Sequence, residues 1–125
     1  MIQVGAFRQT FDTITGGTYQ VSFALAGNPD GAPSTKSVQV TSGGVSQVFA
    51  FSIAGASRAD MGWVYQTLLF TAAGGSTTLS FLSDTAGAFQ GPALDDVSVT
   101  AVPEPATLSL LALGLAAAAR ARRRR

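Results

Sequence analysis

The stretch TYQVSFAL, residues 18–25, decides the fold class. Its apolar side chains, at Tyr19, Val21, Phe23 and Leu25, alternate with small or polar ones at every position between them. A period of two places all four apolar side chains on one face of an extended strand, whereas a helix would scatter them around its axis. The stretch therefore predicts a half-buried β-strand with a core on one side.

The same alternation continues on both sides of this strand. Further strands are predicted at residues 6–11, 38–40, 49–53, 63–72, 77–82 and 94–100. The segment 63–72 is apolar on both phases, which predicts a central strand covered on both faces. Before residue 106 no segment has a helical period, so the sequence predicts an all-β, antiparallel β-sandwich or jelly roll.

Turn-forming residues separate these strands. Gly43-Gly44 and Gly74-Gly75 predict tight turns, the first of which joins two strands into a hairpin. Longer breaks rich in Gly, Pro, Asn and Asp at residues 27–34, 54–62 and 85–92 predict three loops.

Charge is distributed unevenly along the chain. Residues 1–103 carry three basic side chains against six aspartates, while residues 104–125 carry five arginines against one glutamate. The predicted sandwich is therefore mildly acidic, with a net charge of −3, and nothing in it points to nucleic acid.

The chain contains neither cysteine nor histidine. Disulfides, thiolate nucleophiles, imidazole bases and the commonest transition-metal ligands are therefore excluded. The aspartates fall at turns and strand ends with no spacing that selects a catalytic pair, so we expect no enzymatic activity and no catalytic residue.

The C-terminal segment, residues 102–125, has three consecutive parts. The motif Pro103-Glu104-Pro105 predicts an extended stalk, because proline lacks a backbone donor and disfavours helix before it. The uncharged run 106–119 predicts one transmembrane helix about 21 Å long, shorter than the roughly 30 Å hydrocarbon core. The segment ends in basic side chains that we expect to stop the helix on the cytoplasmic side: Arg120, Arg122, Arg123, Arg124 and Arg125.

This order of three parts resembles the PEP-CTERM sorting signal of Gram-negative bacteria. The resemblance implies that an exosortase cuts near Pro103-Glu104-Pro105 and releases the protein towards the cell surface or extracellular matrix. Until then, the helix would anchor the chain in the inner membrane. An ordinary tail anchor is the alternative, and a nucleic-acid role for the arginines is disfavoured because they follow an apolar helix directly.

Residues 1–101 resemble the choice-of-anchor C family, one of the galactose-binding-like β-sandwiches. The resemblance rests on LAGNPDG at residues 25–31, Lys36, MGW at residues 61–63 and GPALDDVSV at residues 91–99. Members of that family begin with a signal peptide and a further strand, neither of which precedes Phe7 here. The resemblance therefore implies a sandwich truncated at its N-terminus, and we expect Met1 to lie inside a longer reading frame.

Two adjacent aspartates lie in the last predicted strand. Asp95 is in phase with Val97 and Val99, so if these valines face the core, Asp95 faces inward and needs a partner. In related sugar-binding jelly rolls an aspartate at this position contributes to a structural calcium site. The resemblance therefore implies that Asp95 is a calcium ligand. The alternative is a carboxylate that caps backbone donors.

Aromatic side chains are the candidates for sugar binding. Trp63, Tyr65 and Phe89 offer faces on which a pyranose ring can stack, although core packing is the alternative use of a strand tryptophan. Asn28 and Asp30, in the first long loop, could supply polar contacts or could simply be solvated turn residues.

The sequence as a whole predicts an exported, non-catalytic protein of the cell envelope or extracellular matrix. Its sorting segment supplies the location, and the resemblance to sugar-binding sandwiches supplies the expected partner, an extracellular or cell-surface polysaccharide. The alternative is a structural or adhesive matrix protein that has protein partners and binds no glycan.

Overall fold

The computed structural model describes residues 2–3, 5–85 and 91–103. Within these residues the chain forms eight strands: β1 (Ile2–Gln3), β2 (Ala6–Asp12), β3 (Thr18–Gly27), β4 (Thr35–Ser42), β5 (Val45–Ser52), β6 (Val64–Thr71), β7 (Ser76–Ser83) and β8 (Pro92–Val102). They make two antiparallel sheets, sheet I in the order β1-β8-β3-β6 and sheet II in the order β2-β7-β4-β5. The predicted all-β antiparallel sandwich is confirmed.

The core lies between the two sheets and is centred on Phe23 of β3. The ring of Phe23 packs edge-on against Phe49 and Phe81 of sheet II, with both centroid distances at 5.2 Å. Val21 and Leu25, the neighbours of Phe23 on the same face of β3, are fully buried beside it. The alternation that predicted this strand is therefore the alternation that fills the core.

The hairpin predicted at Gly43-Gly44 is confirmed. β4 and β5 pair along their whole length, from Thr35 opposite Ser52 to Ser42 opposite Val45. Both glycines have positive φ, 55° for Gly43 and 81° for Gly44, which is the backbone conformation that a two-residue hairpin loop requires.

The prediction that residues 63–72 form a central strand covered on both faces is wrong. β6 pairs with β3 and lies at the edge of sheet I. Leu68 and Phe70 face the core, whereas Tyr65 and Leu69, on the opposite face, are 62% and 56% exposed. The apolar side chains on both phases predicted that both faces of the strand are buried. The face that carries Tyr65 and Leu69 is instead exposed.

No helix of the described residues is long and apolar enough to cross a membrane. The predicted helix 106–119 and the arginines that follow it lie outside the described residues. Pro103, the first residue of the predicted stalk, directly follows β8 and is exposed.

Candidate functional site

A β-bulge in β8 shapes the outer face of sheet I. Ser98 pairs with Ser22 of β3 and Asp95 pairs with Ala24, so two residues of β8, Asp96 and Val97, lie opposite the single residue between Ser22 and Ala24. Asp96 has a φ of 52°, in the left-handed region that aspartate tolerates better than most side chains. The extra residue changes the phase of the strand at this point.

This change of phase corrects the prediction for Asp95. Leu94 before the bulge and Val99 after it both pack against the core, although they are five positions apart. In a regular strand such residues would point to opposite faces. Asp95 is consequently exposed rather than directed into the core, and its Oδ1 accepts a hydrogen bond of 2.9 Å from the backbone N–H of Asp96.

Asp96 carries the central contact of this face. The Tyr65 hydroxyl of β6 donates a 2.7 Å hydrogen bond to Asp96 Oδ2, across the intervening strand β3. This hydrogen bond, and next the negative charge of Asp96, raise the pKa of the Tyr65 phenol, which stays protonated as the donor at neutral pH. Tyr65 and Asp95 both pair with Ala24, and Asp96 follows Asp95, so the side chains of Tyr65, Asp95 and Asp96 lie around this small residue.

Hydroxyl groups continue this surface along β3. In the next row Ser22 lies between Thr67 of β6 and Ser98 of β8. In the row after that Gln20 lies between Leu69 and Thr100. We call these outward-facing residues of β3, β6 and β8, from Tyr65 to Thr100, the Tyr65 face.

The chemistry of the Tyr65 face suits a polyhydroxylated ligand. An exposed phenol ring offers an apolar plane, and two carboxylates with several hydroxyls offer hydrogen-bond partners beside it. The small side chain of Ala24 on the middle strand is buried, beneath the hydrogen bond from Tyr65 to Asp96.

The described residues include Asp95, the predicted calcium ligand. They contain no group of three or more acidic side chains placed to hold a metal ion. Asp95 and Asp96 already accept hydrogen bonds from a backbone amide and from Tyr65. A calcium ion at Asp95 therefore stays a prediction, and the bond that the structure gives Asp95 is to the backbone N–H of the next residue.

The polar loop residues are bonded to each other. Asn28 Oδ1 accepts a 3.0 Å hydrogen bond from the backbone N–H of Asp30. Arg58 donates from Nε to Asp30 Oδ2 at 2.7 Å, and a second contact joins its Nη2 to the same oxygen. The hydrogen bond and the charge of Asp30 raise the pKa of the Arg58 guanidinium. The Arg58–Asp30 contact joins loop 28–34 to loop 53–63, and the ligand contacts predicted for Asn28 and Asp30 stay a prediction.

The remaining predicted residues fall in different environments. Trp63 directly precedes β6 and is half-buried, and Phe89 lies outside the described residues. Lys36 is 0% exposed, with its Nζ donating a 2.7 Å hydrogen bond to the carbonyl oxygen of Gly31. Loss of hydration lowers the pKa of this lysine, and its hydrogen bond to Gly31 joins β4 to loop 28–34.

A groove of about 480 Å³ opens beside the Tyr65 face, between the edges of β8 and β2. Its walls are largely apolar, and the carboxylates of the Tyr65 face stand on its rim. The lining residues are Phe7, Gln9, Phe11, Leu79, Leu94, Asp95, Asp96, Val97, Ser98 and Val99. At the edge of β8 that faces away from β3, β1 pairs with Ala93 and Leu94. No other described strand pairs with this edge of β8.

Sequence reasoning selected Tyr65 but missed Asp96 as its partner. A regular strand would send adjacent aspartates to opposite faces, so only Asp95 was given a predicted role. The available signal was the residue type, because aspartate is enriched in the left-handed conformation that a bulge can require.

Two family comparisons cover the chain between them. The family model described as "Protein of unknown function (DUF642)" matches residues 1–100. The model described as "PEP-CTERM protein-sorting motif" matches residues 101–125. No curated protein matches the chain.

Solved structures share the fold at low sequence identity. A structure described as "CBM4 structure and function" superimposes with a TM-score of 0.57 at 17% identity, over 78% of this chain and 61% of that one. A structure described as "EclA C-terminal domain; sugar-binding protein" gives a TM-score of 0.59 at 15% identity, over 75% of this chain and 65% of that one. The chain thus spans less than two thirds of either structure, and at these identities the likeness concerns the fold.

Proposed function

We propose, from the premise that this chain belongs to the DUF642 family and ends in a PEP-CTERM protein-sorting motif, that it is an exported, exosortase-sorted protein whose sandwich binds polysaccharide. The sorting motif supports the location. The ligand class follows from the chemistry of the Tyr65 face.

The tail supports membrane-associated sorting in a Gram-negative bacterium. Pro103 leaves the sandwich at the end of β8, and the apolar run 106–119 with its terminal arginines has the composition of a short anchor that is held on the cytoplasmic side. The protein would remain in the inner membrane until an exosortase cuts near the Pro-Glu-Pro motif, and would then reach the cell surface or extracellular matrix.

The observation that carries the sugar proposal is the hydrogen bond from Tyr65 to Asp96 across β3. It fixes an aromatic ring that is 62% exposed, beside carboxylate and hydroxyl groups that can orient a sugar. Two structures of the same fold are described as a CBM4 and as a sugar-binding protein, which supports this ligand class.

The proposed role is binding without catalysis. A glycosidase needs two carboxyl groups on either side of the scissile bond, one of them free to donate a proton. Asp95 and Asp96 are instead adjacent in the chain, and each accepts a hydrogen bond from within the sandwich. Both are better suited to orient a ligand than to cleave it.

A glycan array probed with the full chain in detergent tests the binding proposal. We expect saturable binding to a subset of polysaccharides, and loss of that binding in Tyr65→Ala. Leu82→Ala is the matched control, because Leu82 is a 50% exposed apolar residue of β7 on the outer face of sheet II, away from the Tyr65 face. Equal binding by the two variants would place the glycan away from Tyr65.

The alternative, a matrix protein with protein partners, is favoured by the groove between β8 and β2. An unpaired strand edge beside apolar walls is a surface to which another chain can add a strand. A blank array together with concentration-dependent self-association would favour this alternative over the glycan proposal.

The sorting proposal is tested in a bacterium that carries an exosortase. We expect replacement of Pro103, Glu104 and Pro105 by alanine to leave the full-length chain uncut in the membrane fraction. Val102→Ala, at the last residue of β8, is the control and should be processed normally. Normal processing of the triple variant would contradict recognition through this motif.

A further inference from the structure

The sandwich has two unlike ends, and the tail leaves from one of them. Thr18 at the start of β3 pairs with Val102 at the end of β8 and with Thr71 at the end of β6. The turns at residues 13–17, 43–44 and 72–75 lie at the same end, and backbone hydrogen bonds such as Gly16 N–H to Ala72 O at 2.8 Å join the first turn to the third. We call these three turns, with Val102, the tail end.

Charged side chains are concentrated away from the tail end. Its three turns read TITGG, GG and AAGG and contain no charged residue. The loops at the opposite end of the described residues carry Asp30, Arg58, Asp60 and Asp84. One carboxylate lies near the tail end, that of Asp12, which is exposed at the last position of β2.

Ile14 is the exposed apolar tip of this end. Its side chain is 75% exposed, the largest value among the large hydrophobic residues that the structure describes. The backbone around it is held on both sides, since Ile14 N–H donates to the Tyr19 hydroxyl at 2.8 Å and Ile14 O accepts from Gly17 N–H at 2.9 Å. Thr13 adds a 2.8 Å hydrogen bond from its hydroxyl to Gly74 O. The turn thus presents an isoleucine to solvent on a backbone held by hydrogen bonds at Thr13, Ile14, Gly16 and Gly17.

The chain leaves little distance between this end and the apolar run. From Val102 to Ala106 even a fully extended backbone spans at most about 14 Å. The sandwich itself is about 33 Å long, from the ten residues of β3. If residues 106–119 are inserted in a bilayer, the tail end is therefore held near the headgroups, while the charged loops point away from them.

We propose that the tail end, with Ile14 at its tip, contacts the lipid surface for as long as the sorting segment is in the membrane. This inference rests on the proposed anchoring by residues 106–119. An isoleucine side chain can enter the boundary between headgroups and acyl chains, and an end without basic residues needs no anionic lipid to do so. The same contact would hold the Pro-Glu-Pro motif close to the membrane. The Tyr65 face, along the side of the sandwich, would then stay exposed to solvent.

The test uses single cysteines, because the chain has none of its own. Ile14→Cys, at the tail end, and Ala59→Cys, in the exposed loop at the opposite end, are labelled with bimane in the full chain. Each is reconstituted into vesicles of phosphatidylethanolamine and phosphatidylglycerol, with and without a lipid that carries a nitroxide quencher in its headgroup region. Fluorescence of the native Trp63 confirms that both variants are folded.

We expect the quencher lipid to reduce the fluorescence at position 14 about two-fold, because the contact places the label at the headgroups, and to leave position 59 unchanged. Equal fluorescence losses at the two positions, in chains that float with the vesicles, would overturn this inference alone. Chains that do not float would overturn the anchor and the inference together. If the label at position 14 is protected from aqueous iodide but is not quenched by the lipid, the tail end contacts a second copy of the protein. That result would also overturn the inference.

Discussion

At the scale of single residues, the pairing of Tyr65 with Asp96 gives the molecule its most specific feature. The two side chains come from strands that do not touch each other, and they meet over Ala24, a residue small enough to allow the contact. The phenol is held in one orientation while its ring stays exposed, so a ligand would meet a preorganised surface.

The first residue-scale prediction concerns the pKa of Tyr65. Asp96→Asn keeps an acceptor but removes the negative charge, so the pKa of Tyr65 should fall back towards its ordinary value of about 10. Nuclear magnetic resonance of chains labelled at tyrosine Cζ measures this titration directly. Identical Tyr65 titrations in the wild type and the variant would mean that the hydrogen bond is absent in solution.

A second residue-scale prediction concerns Lys36. Burial lowers its pKa in the folded chain, so between that lowered pKa and about 10.5 the unfolded chain binds more protons and folding becomes more favourable as pH rises. The free energy of unfolding of the wild type should therefore increase relative to Lys36→Met as pH approaches 10.5. Denaturant titrations across this range measure the difference, and a difference that does not vary with pH contradicts the burial of the charge.

Truncation of the same side chain should be costly. Lys36→Ala removes a side chain that is fully enclosed, leaves a cavity and frees Gly31 O of its donor, for an expected loss of about 2–4 kcal/mol. Lys36→Met is the matched control, because it keeps most of the aliphatic volume and should cost less. Equal losses of unfolding free energy in the two variants would show that packing of the aliphatic part of Lys36 does not contribute to stability.

At the scale of elements, the alternating pattern predicted the strands well because alternation and burial coincide in most of them. Leu79 and Phe81 face the core from β7, which was predicted as a strand at residues 77–82, and the β4–β5 hairpin follows from its glycine pair. Two elements departed from the prediction. The edge position of β6 depends on which strands pair, and the bulge of β8 inserts one residue into a regular period. Neither effect is visible in the local pattern of the strand concerned.

The Gly43-Gly44 turn gives a prediction at this scale. Both residues have positive φ, so alanine at either costs about 1 kcal/mol in backbone conformation. A Cβ at Gly43 would also lie 2.6 Å from Cδ2 of the buried Phe70 ring, whereas one at Gly44 would meet nothing within 4 Å. Gly43→Ala should therefore destabilise the chain by about 3 kcal/mol and Gly44→Ala by about 1. Thermal unfolding measures both, and equal losses would contradict the packing of the turn on Phe70.

At the scale of the whole molecule, the sandwich separates its surfaces by chemistry. The tail end is uncharged apart from the neighbouring Asp12, the opposite loops are charged and bonded together, and the Tyr65 face runs along one side between them. The fold and the sorting tail could be predicted from the sequence because both depend on local patterns. It could not place Asp96 beside Tyr65 or Val102 beside the Ile14 turn, since these contacts depend on strand order.

The central claim, that the Tyr65 face binds polysaccharide, is tested most directly by amide spectra of the labelled full chain during titration with the polysaccharide that the array selects. The account predicts that Ser22, Ala24 and Thr67, on the outer face of sheet I, shift saturably and do not shift in Tyr65→Ala. It also predicts that Gln39 and Ser80, on the outer face of sheet II, stay unchanged. Shifts confined to sheet II or to the β8–β2 groove, or saturable binding that survives in Tyr65→Ala, would contradict it.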